Sequence, residues 1–351
     1  MQRKIIHCDA DCFFAAIEMR DHASLRGIPL AVGGDPSRRG VIATCNYEAR
    51  IFGVRSAIAS AYAKKLCPHL HIVPHNMEKY RAAAQQLISI FKDYTHLVES
   101  LSLDEAFLDV SASGKCNGSA TLIAKEIRQR VRSEVGITIS AGVSSNKFLA
   151  KVASEWKKPD GLTVIEPSRI PFFMKNLPVS CISGVGKKTL AKLNNMGIYQ
   201  CSDIVHYQIP ALTQVLGKFG QRLYDLSQGI DDRSVNPNPD RKSLSVEKTL
   251  ESNIQWINSL NEIGQLRERL LTRIERLPND QQHFVKVFIK ITFDDFSKTS
   301  IEIQSQQLSI ELCQSLFKQG WQRYKKAIRL LGIGVRFSAG TTGYDQLKLF
   351  D

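Results

Sequence analysis

The sequence predicts an α+β protein of several domains, and three observations carry that expectation. An apolar strand pattern over residues 4–10 is followed by a helix, a hairpin, a second helix and a further strand, the alternation of a ferredoxin-like α+β sandwich with an insertion after its first strand and helix. Residues 167–231 carry only helical patterns joined by short connections. After a polar, Pro-containing stretch from Asp231 to Asp240, strands near 242–250, 283–293, 298–306 and 327–338 are interspersed with helices near 257–276 and 308–320. A chain of 351 residues is long enough for two or more domains with cores of their own.

The elements follow in order. Asp11 stands where it would cap a helix in which Phe13, Phe14, Ile17 and Glu18 have helical spacing. Short strands at 30–33 and 40–46 flank the basic, Gly-containing turn from Gly33 to Gly40. Helices are expected over 56–66 and 77–95. Leu101 and Leu103 alternate in one phase, and Ala106, Leu108 and Val110 in the other. A strand keeps its phase, so the break predicts a hairpin over 98–110 with Asp104 and Glu105 at its tip. Leu122, Ile123, Ile127 and Val131 share one face of a helix over 119–135. A strand over 137–143 leads to a helix over 146–156, with Ser144 or Ser145 as its cap.

Composition narrows the class of partner. The apolar content of 43% and charged content of 23% are ordinary for a globular protein. The net charge of +13 is not, and it favours a polyanionic partner such as nucleic acid. Met1-Gln2-Arg3-Lys4 runs directly into a strand pattern, and no apolar run has the length of a membrane span, so a cytoplasmic protein with no membrane contact is expected. The eight cysteines form no CxxC pair, which argues for free thiols rather than zinc.

Adjacent carboxylates repel, and a fold tolerates them best around a cation. Asp9 ends the first strand, so Asp9, Asp104 and Glu105 would meet at strand ends, where three carboxylates suit two Mg²⁺ ions and phosphoryl transfer. By themselves Asp104 and Glu105 would more often be a solvated turn. Tyr47 and Arg50 lie one helical turn apart, and a phenol beside a guanidinium suits a triphosphate; without other motifs it is more often an arginine packed on a ring.

Four segments occur in one order: His7 to Ala15, Asn46 to Arg50 with Gly53 to Ser56, Ser102 to Ala106, and Ser145 to Lys151. Together they resemble the Y-family translesion DNA polymerases, and within them the bacterial DinB branch. The resemblance implies a right-hand polymerase: a ferredoxin-like palm at 1–10 and 75–166, small fingers at 11–74, a helical thumb with a helix-hairpin-helix at 167–231, a linker at 232–242, an α/β little finger at 243–341 and a tail at 342–351. It implies template-directed, low-fidelity DNA synthesis from dNTPs on a primer–template, without proofreading, by a monomer. Asp9, Asp104 and Glu105 take the family's metal positions for two Mg²⁺, with the backbone carbonyl of Ala10 completing a site. Tyr47, Arg50 and Lys158 match its triphosphate contacts, and Phe14 the gate that excludes a ribose 2′-hydroxyl. Phe13 is expected in the core. Cys8, Ala10 and Ala43 are small where relatives are often larger or polar, which bears on lesion preference rather than chemistry.

Three further segments fit a DNA enzyme. Gly184 and Gly186, followed by Lys187, form a turn before a helix that lets backbone N–H groups approach a DNA phosphate, with a weaker counterpart at Gly217 to Gly220. Val285, Val287, Ile289 and Ile291 alternate with Phe284, Lys286, Phe288, Lys290 and Thr292, giving a core face and a cationic, aromatic face for a duplex. Gln346, Leu347, Leu349 and Phe350 resemble a peptide that binds the bacterial sliding clamp. The alternatives are a catalytically inactive DNA- and clamp-binding scaffold, and a nucleotide cyclase, which would lack the basic helical and C-terminal regions.

Overall fold

A computed structural model of the chain describes residues 2–338, which form two compact units dividing between Asn238 and Pro239. The first unit opens with β1 (Ile5–Ala10), α1 (Phe13–Asp21), β2 (Leu30–Gly33), β3 (Ile42–Cys45), α2 (Tyr47–Ile51), α3 (Ser60–Leu66), β4 (His71–Val73) and α4 (Met77–Lys92). It continues with β5 (Val98–Ser100), β6 (Glu105–Asp109), α5 (Ala120–Arg130), β7 (Ile139–Ser144), α6 (Lys147–Trp156) and β8 (Leu162–Val164). Five short helices close it: α7 (Ile170–Lys175), α8 (Lys187–Asn195), α9 (Cys201–Ile204), α10 (Ile209–Leu216) and α11 (Phe219–Ser227).

A five-stranded sheet in the order β5-β6-β1-β7-β8 organises this unit, with β1 at its centre and antiparallel to both neighbours. Period-2 alternation gives β1 two different faces. Ile6, Cys8 and Ala10 enter a core with Tyr80, Leu87 and Phe91 of α4 and Ile123 and Ile127 of α5. Ile5, His7 and Asp9 point to the side covered by α6, where Ile5 meets Phe107 and Ala150. Helix α6 lies close on β7 because Gly142 has no side chain: a Cβ there would stand 2.0 Å from the Ala150 carbonyl oxygen. A separate three-stranded sheet, β3-β2-β4, packs with α2 and α3 around Ala31, Ile42, Val54 and Leu70. Helices α7 to α11 share a core with Leu149 and Val152 of α6.

The second unit holds β9 (Ser243–Ile254), α12 (Leu260–Glu275), β10 (Phe284–Phe293), β11 (Lys298–Gln304), α13 (Ile310–Gln322) and β12 (Ile328–Phe337). Its antiparallel sheet runs β11-β10-β12-β9, and Val287, Ile289 and Ile291 meet Leu266 and Leu270 of α12 and Leu316 and Phe317 of α13.

Several expectations are corrected by packing. Asp11 does not cap α1; Cys12 takes that position with no side-chain bond, while Asp11 is buried among distant polar partners. The cap of α6 is Asn146, whose side chain accepts from the Leu149 N–H, and not Ser144 or Ser145. The hairpin turn spans 101–104, closed by Leu101 N–H to the Glu105 carbonyl, so Glu105 begins β6 instead of sitting at the tip. A register shift between Phe284 and Lys286 turns Val285 outward and Phe284 toward the core, reversing the expected phase at that end of β10. The stretch after Asp231 is fastened to the first unit: Arg3 donates to the Arg233 carbonyl, Asn236 N–H to Glu99, and Val235 is buried. Strands β4 and β8 were not expected.

Candidate active site

Pairing register brings the acidic residues together. Asp9 lies directly across from Glu105, on the same face of the β1–β6 pair. Ala10 donates its N–H to the Asp104 carbonyl at 2.9 Å, which sets the turn against the end of β1. A pocket of about 340 Å³ opens there; Asp9, Ala10, Phe14, Arg50, Asp104 and Lys158 are among its lining residues. Tyr47 stands behind Arg50, whose guanidinium lies 4.5 Å over the phenol ring. Thus the first strand, the hairpin, α2 and the loop after α6, far apart in sequence, supply one concave site.

The carboxylates are held by lysines. Lys158 Nζ stands 2.6 Å from Asp9 Oδ1 and 2.9 Å from Glu155 Oε1, and Lys151 pairs with Glu105. Lys158 is largely covered, its side chain 16% exposed. Among the described residues no group of three or more His, Cys, Asp or Glu side chains is gathered into one chelating cluster.

Environment drives the paired carboxylates apart electrostatically. Burial pushes Asp9 up to about 7, opposed by Lys158 and reinforced by the charge of Asp104. Glu105 is held down at about 2, first by the His7 side chain and then by Lys151 against its own burial. His7 is fully buried, its Nδ1 is 2.8 Å from Ser154 Oγ, and its Nε2 is 3.3 Å from Glu105 Oε2. Burial lowers it to about 4, so it is neutral at physiological pH.

Phe14 is half-buried and stacked on Tyr80, with ring centroids 4.2 Å apart and planes 12° apart. Tyr80 is fixed in turn by its hydroxyl on Glu18 at 2.6 Å, and Lys79 holds the same carboxylate. Phe13 is in the core, as expected. Sequence reasoning missed Tyr80, His7 and Lys151. Lys151 was findable: it lies one turn after Lys147, and the two reach Glu105 and Glu99 on adjacent strands.

Gly184 has φ +101 and accepts the Phe219 ring, which a Cβ would meet at 2.8 Å; the 217–220 turn thus packs on the first one. Gly186 is the N-cap of α8 and Lys187 is exposed in its first turn. Gly184 and Glu105 line one cleft of about 820 Å³, with Trp156 and Ile182 on its wall. On the second unit Lys286 pairs with Glu302 and Lys290 with Glu247, and Arg336 lies 5.4 Å over the Phe288 ring, so that face is cationic but carries acidic partners. Gln346, Leu347, Leu349 and Phe350 lie outside the described residues. No helix among the described residues is long and apolar enough to cross a membrane.

Comparison with known proteins agrees along the chain. Residues 8–155 match the impB/mucB/samB family, 176–231 the thumb domain of DNA polymerase-iota, and 241–349 the C-terminal domain of the impB/mucB/samB family. The chain is 50% identical over 350 residues to a DNA polymerase IV of Pseudomonas syringae pv. tomato, covering 99% of both chains. Against a DNA polymerase IV of Ralstonia nicotianae it is 50% identical over 350 residues, covering 99% of this chain and 98% of that one. Among solved structures, a Dbh–Dpo4–Dbh chimera of the Y family aligns with TM-score 0.87 and 26% identity over 95% of this chain and 98% of its own. DinB from Sulfolobus solfataricus aligns at TM-score 0.67 and 25% identity with the same coverage. The fold is that of a right-hand polymerase, with a ferredoxin-like palm, small fingers, a helical thumb and an α/β little finger, and the chain belongs to the DinB-type, DNA polymerase IV branch of the Y-family DNA polymerases.

Proposed function

We propose that this protein carries out template-directed, low-fidelity DNA synthesis across lesions, joining a dNTP to a primer 3′-hydroxyl without proofreading. The observation that carries the reading is the single pocket that gathers Asp9, Ala10, Phe14, Arg50, Asp104 and Lys158. The scaffold alternative has no support, since the three carboxylates are present and relatives of the same length are named polymerases. The palm is taken as 1–10 and 75–166, the fingers as 11–74, the thumb as 167–231, the linker as 232–242 and the little finger as 243–341.

Y-family polymerases depend on divalent metal, and the donor set here fits it: hard carboxylate oxygens beside a backbone carbonyl, in a pocket where burial and the neighbouring charge of Asp104 leave the Asp9 carboxylate in need of a counter-charge. In our reading Asp9, Asp104, Glu105 and the Ala10 carbonyl hold two Mg²⁺. Bound there, the ions would lower the pKa of the primer hydroxyl and neutralise the leaving pyrophosphate. The rest falls to the chain. Arg50, Tyr47 and Lys158 grip the triphosphate, for which Lys158 exchanges the Asp9 carboxylate for a phosphate oxygen. The Phe14 ring, braced by Tyr80, occupies the space of a 2′-hydroxyl and rejects ribonucleotides by overlap. The turn at Gly184 to Lys187 and the face carrying Lys286 and Lys290 hold primer–template DNA by its backbone.

The protein is read as a cytoplasmic monomer whose tail tethers it to a sliding clamp through Gln346, Leu347, Leu349 and Phe350, raising its effective concentration at the primer end. Deleting residues 346–351 is expected to leave unaided extension intact and abolish stimulation by a loaded clamp. The activity itself is tested by single-turnover extension: Glu105→Gln and Asp104→Asn should lose about a thousandfold or more with DNA affinity kept, and near-normal extension by either would refute the site.

A further inference from the structure

Asp11 is 2% exposed, yet its carboxylate meets four residues from three separate parts of the first unit. Oδ2 accepts from Thr138 Oγ1 and from the Asp160 N–H, each at 2.8 Å. Oδ1 accepts from Ser140 Oγ at 2.8 Å and faces the Tyr47 hydroxyl at 3.5 Å. Asp160 lies two residues beyond Lys158 and has φ +53, a left-handed conformation that is uncommon outside glycine and that Asp adopts when its side chain is hydrogen-bonded. That side chain is held here: Arg128 Nη2 reaches Asp160 Oδ1 at 2.8 Å and Arg132 pairs with the same carboxylate, while Gly161 donates its N–H to Ser140 Oγ at 3.1 Å. One side chain therefore joins β7, the loop bearing Lys158, and the phenol of Tyr47.

We propose that Asp11 is a positioning residue that fixes Tyr47 and the Lys158 loop as one preset unit, so that the two close on a nucleotide triphosphate without first being ordered. This rests on the polymerase reading above. Preset geometry acts on nucleotide capture, because a loop already in place loses no further freedom on binding. An amide replaces the carboxylate poorly: with its NH₂ toward Asp160 it meets that N–H donor against donor, and turned the other way it makes the Ser140 and Tyr47 hydroxyls accept where they now donate. The Tyr47 phenol remains protonated at neutral pH, since burial and then the charge of Asp11 push it up to about 12.

The test is single-nucleotide extension at varied dNTP with the full chain on a primer–template. Asp11→Asn should raise KM for dNTP by about tenfold while kcat stays within about threefold and DNA affinity is unchanged. Arg128→Met, which unties Asp160 from its far side, should move KM in the same direction, and it carries the test if Asp11→Asn does not fold. Leu87→Ala, a cavity in the core of the same unit, should lower Tm and leave KM alone. An unchanged KM in both Asp11→Asn and Arg128→Met, or an equal rise in Leu87→Ala, would overturn the proposal. Wild-type extension keeps the cases apart: if it is absent the polymerase reading fails, and if it is present with KM unmoved only the role of Asp11 fails.

Discussion

In the palm sheet the side chains of Lys147 and Glu99 are 6% and 14% exposed, and those of Lys158 and Asp9 16% and 13%. On the sheet of the second unit Lys286 and Glu302 are 40% and 31% exposed, and Lys290 and Glu247 36% and 41%. Lysines thus meet carboxylates of both sheets at hydrogen-bond distance, from α6 and the loop after it in the palm and from β10 in the second unit, and the exposure of the pairs differs. An exposed pair is screened by water and contributes little, whereas a buried one strands an unpaired charge when either partner is removed. Removing a partner from a palm pair is therefore expected to cost more stability than removing one from an exposed pair. The exposed pairs can open toward an anion at small cost, which is compatible with the DNA-holding role proposed for that face.

The aromatic residues sharpen the contrast first. Phe14 is braced by Tyr80, while Phe288 lies on an open sheet face under Arg336. Phe14→Val should raise rNTP use relative to dNTP by about a hundredfold or more, read as the ratio of kcat/KM values. Phe288→Val should leave that ratio alone and weaken DNA binding by only a few-fold. An unchanged ratio in Phe14→Val would move Phe14 into the core and leave sugar selection unexplained.

Lysine removal compares the sheets directly. Lys147→Met leaves Glu99 buried without its cation and should cost about 3–5 kcal/mol in urea unfolding. Lys290→Met should cost less than about 1 kcal/mol. Equal costs would remove the distinction between the two sheets.

His7 gives the pH counterpart. Its folded pKa, about 4, lies below the unfolded value, so the unfolded chain binds the proton first. The stability tied to neutral His7 is fully present above about 6.5 and is lost as pH falls through 6.5 toward 4. Denaturation across that window should show a decline that His7→Gln flattens; parallel curves would contradict the assignment. The smallest effect is on the second unit, where Lys286→Ala and Lys290→Ala should each weaken DNA binding several-fold and reduce the salt slope by about one.

What the sequence revealed depended on the distance between partners. The phase break between Leu103 and Ala106 is local, so the hairpin was readable, and so were the helices with a clear apolar stripe such as α4 and α5. Strands β4 and β8 are three residues each, too short for alternation to show. Asp11 looked like a cap because Asp before a helix usually is one, while its actual partners at Thr138, Ser140 and Asp160 lie more than a hundred residues away. Ser144 and Ser145 looked like the caps of α6, and Asn146 was passed over because only the end of β7 fixes which side chain meets the Leu149 N–H. The bulge that turns Val285 outward breaks an alternation that continues unbroken in the sequence. For the site, residue types in order carried the pocket. The lysines that hold its carboxylates, the ring behind Phe14, the burial that raises Asp9 and the His7 and Lys151 contacts that lower Glu105 all come from tertiary packing, which only the fold supplies.

The central claim is that the half-buried carboxylates where β1 ends and β6 begins support templated nucleotide addition. Its most direct test is extension of a primed template by the wild-type chain, one dNTP at a time, with and without Mg²⁺. The account predicts addition of the nucleotide complementary to the template, dependent on the metal, with a mismatch added at lower but measurable rates. Tight DNA binding with no addition of any dNTP in Mg²⁺ would contradict it.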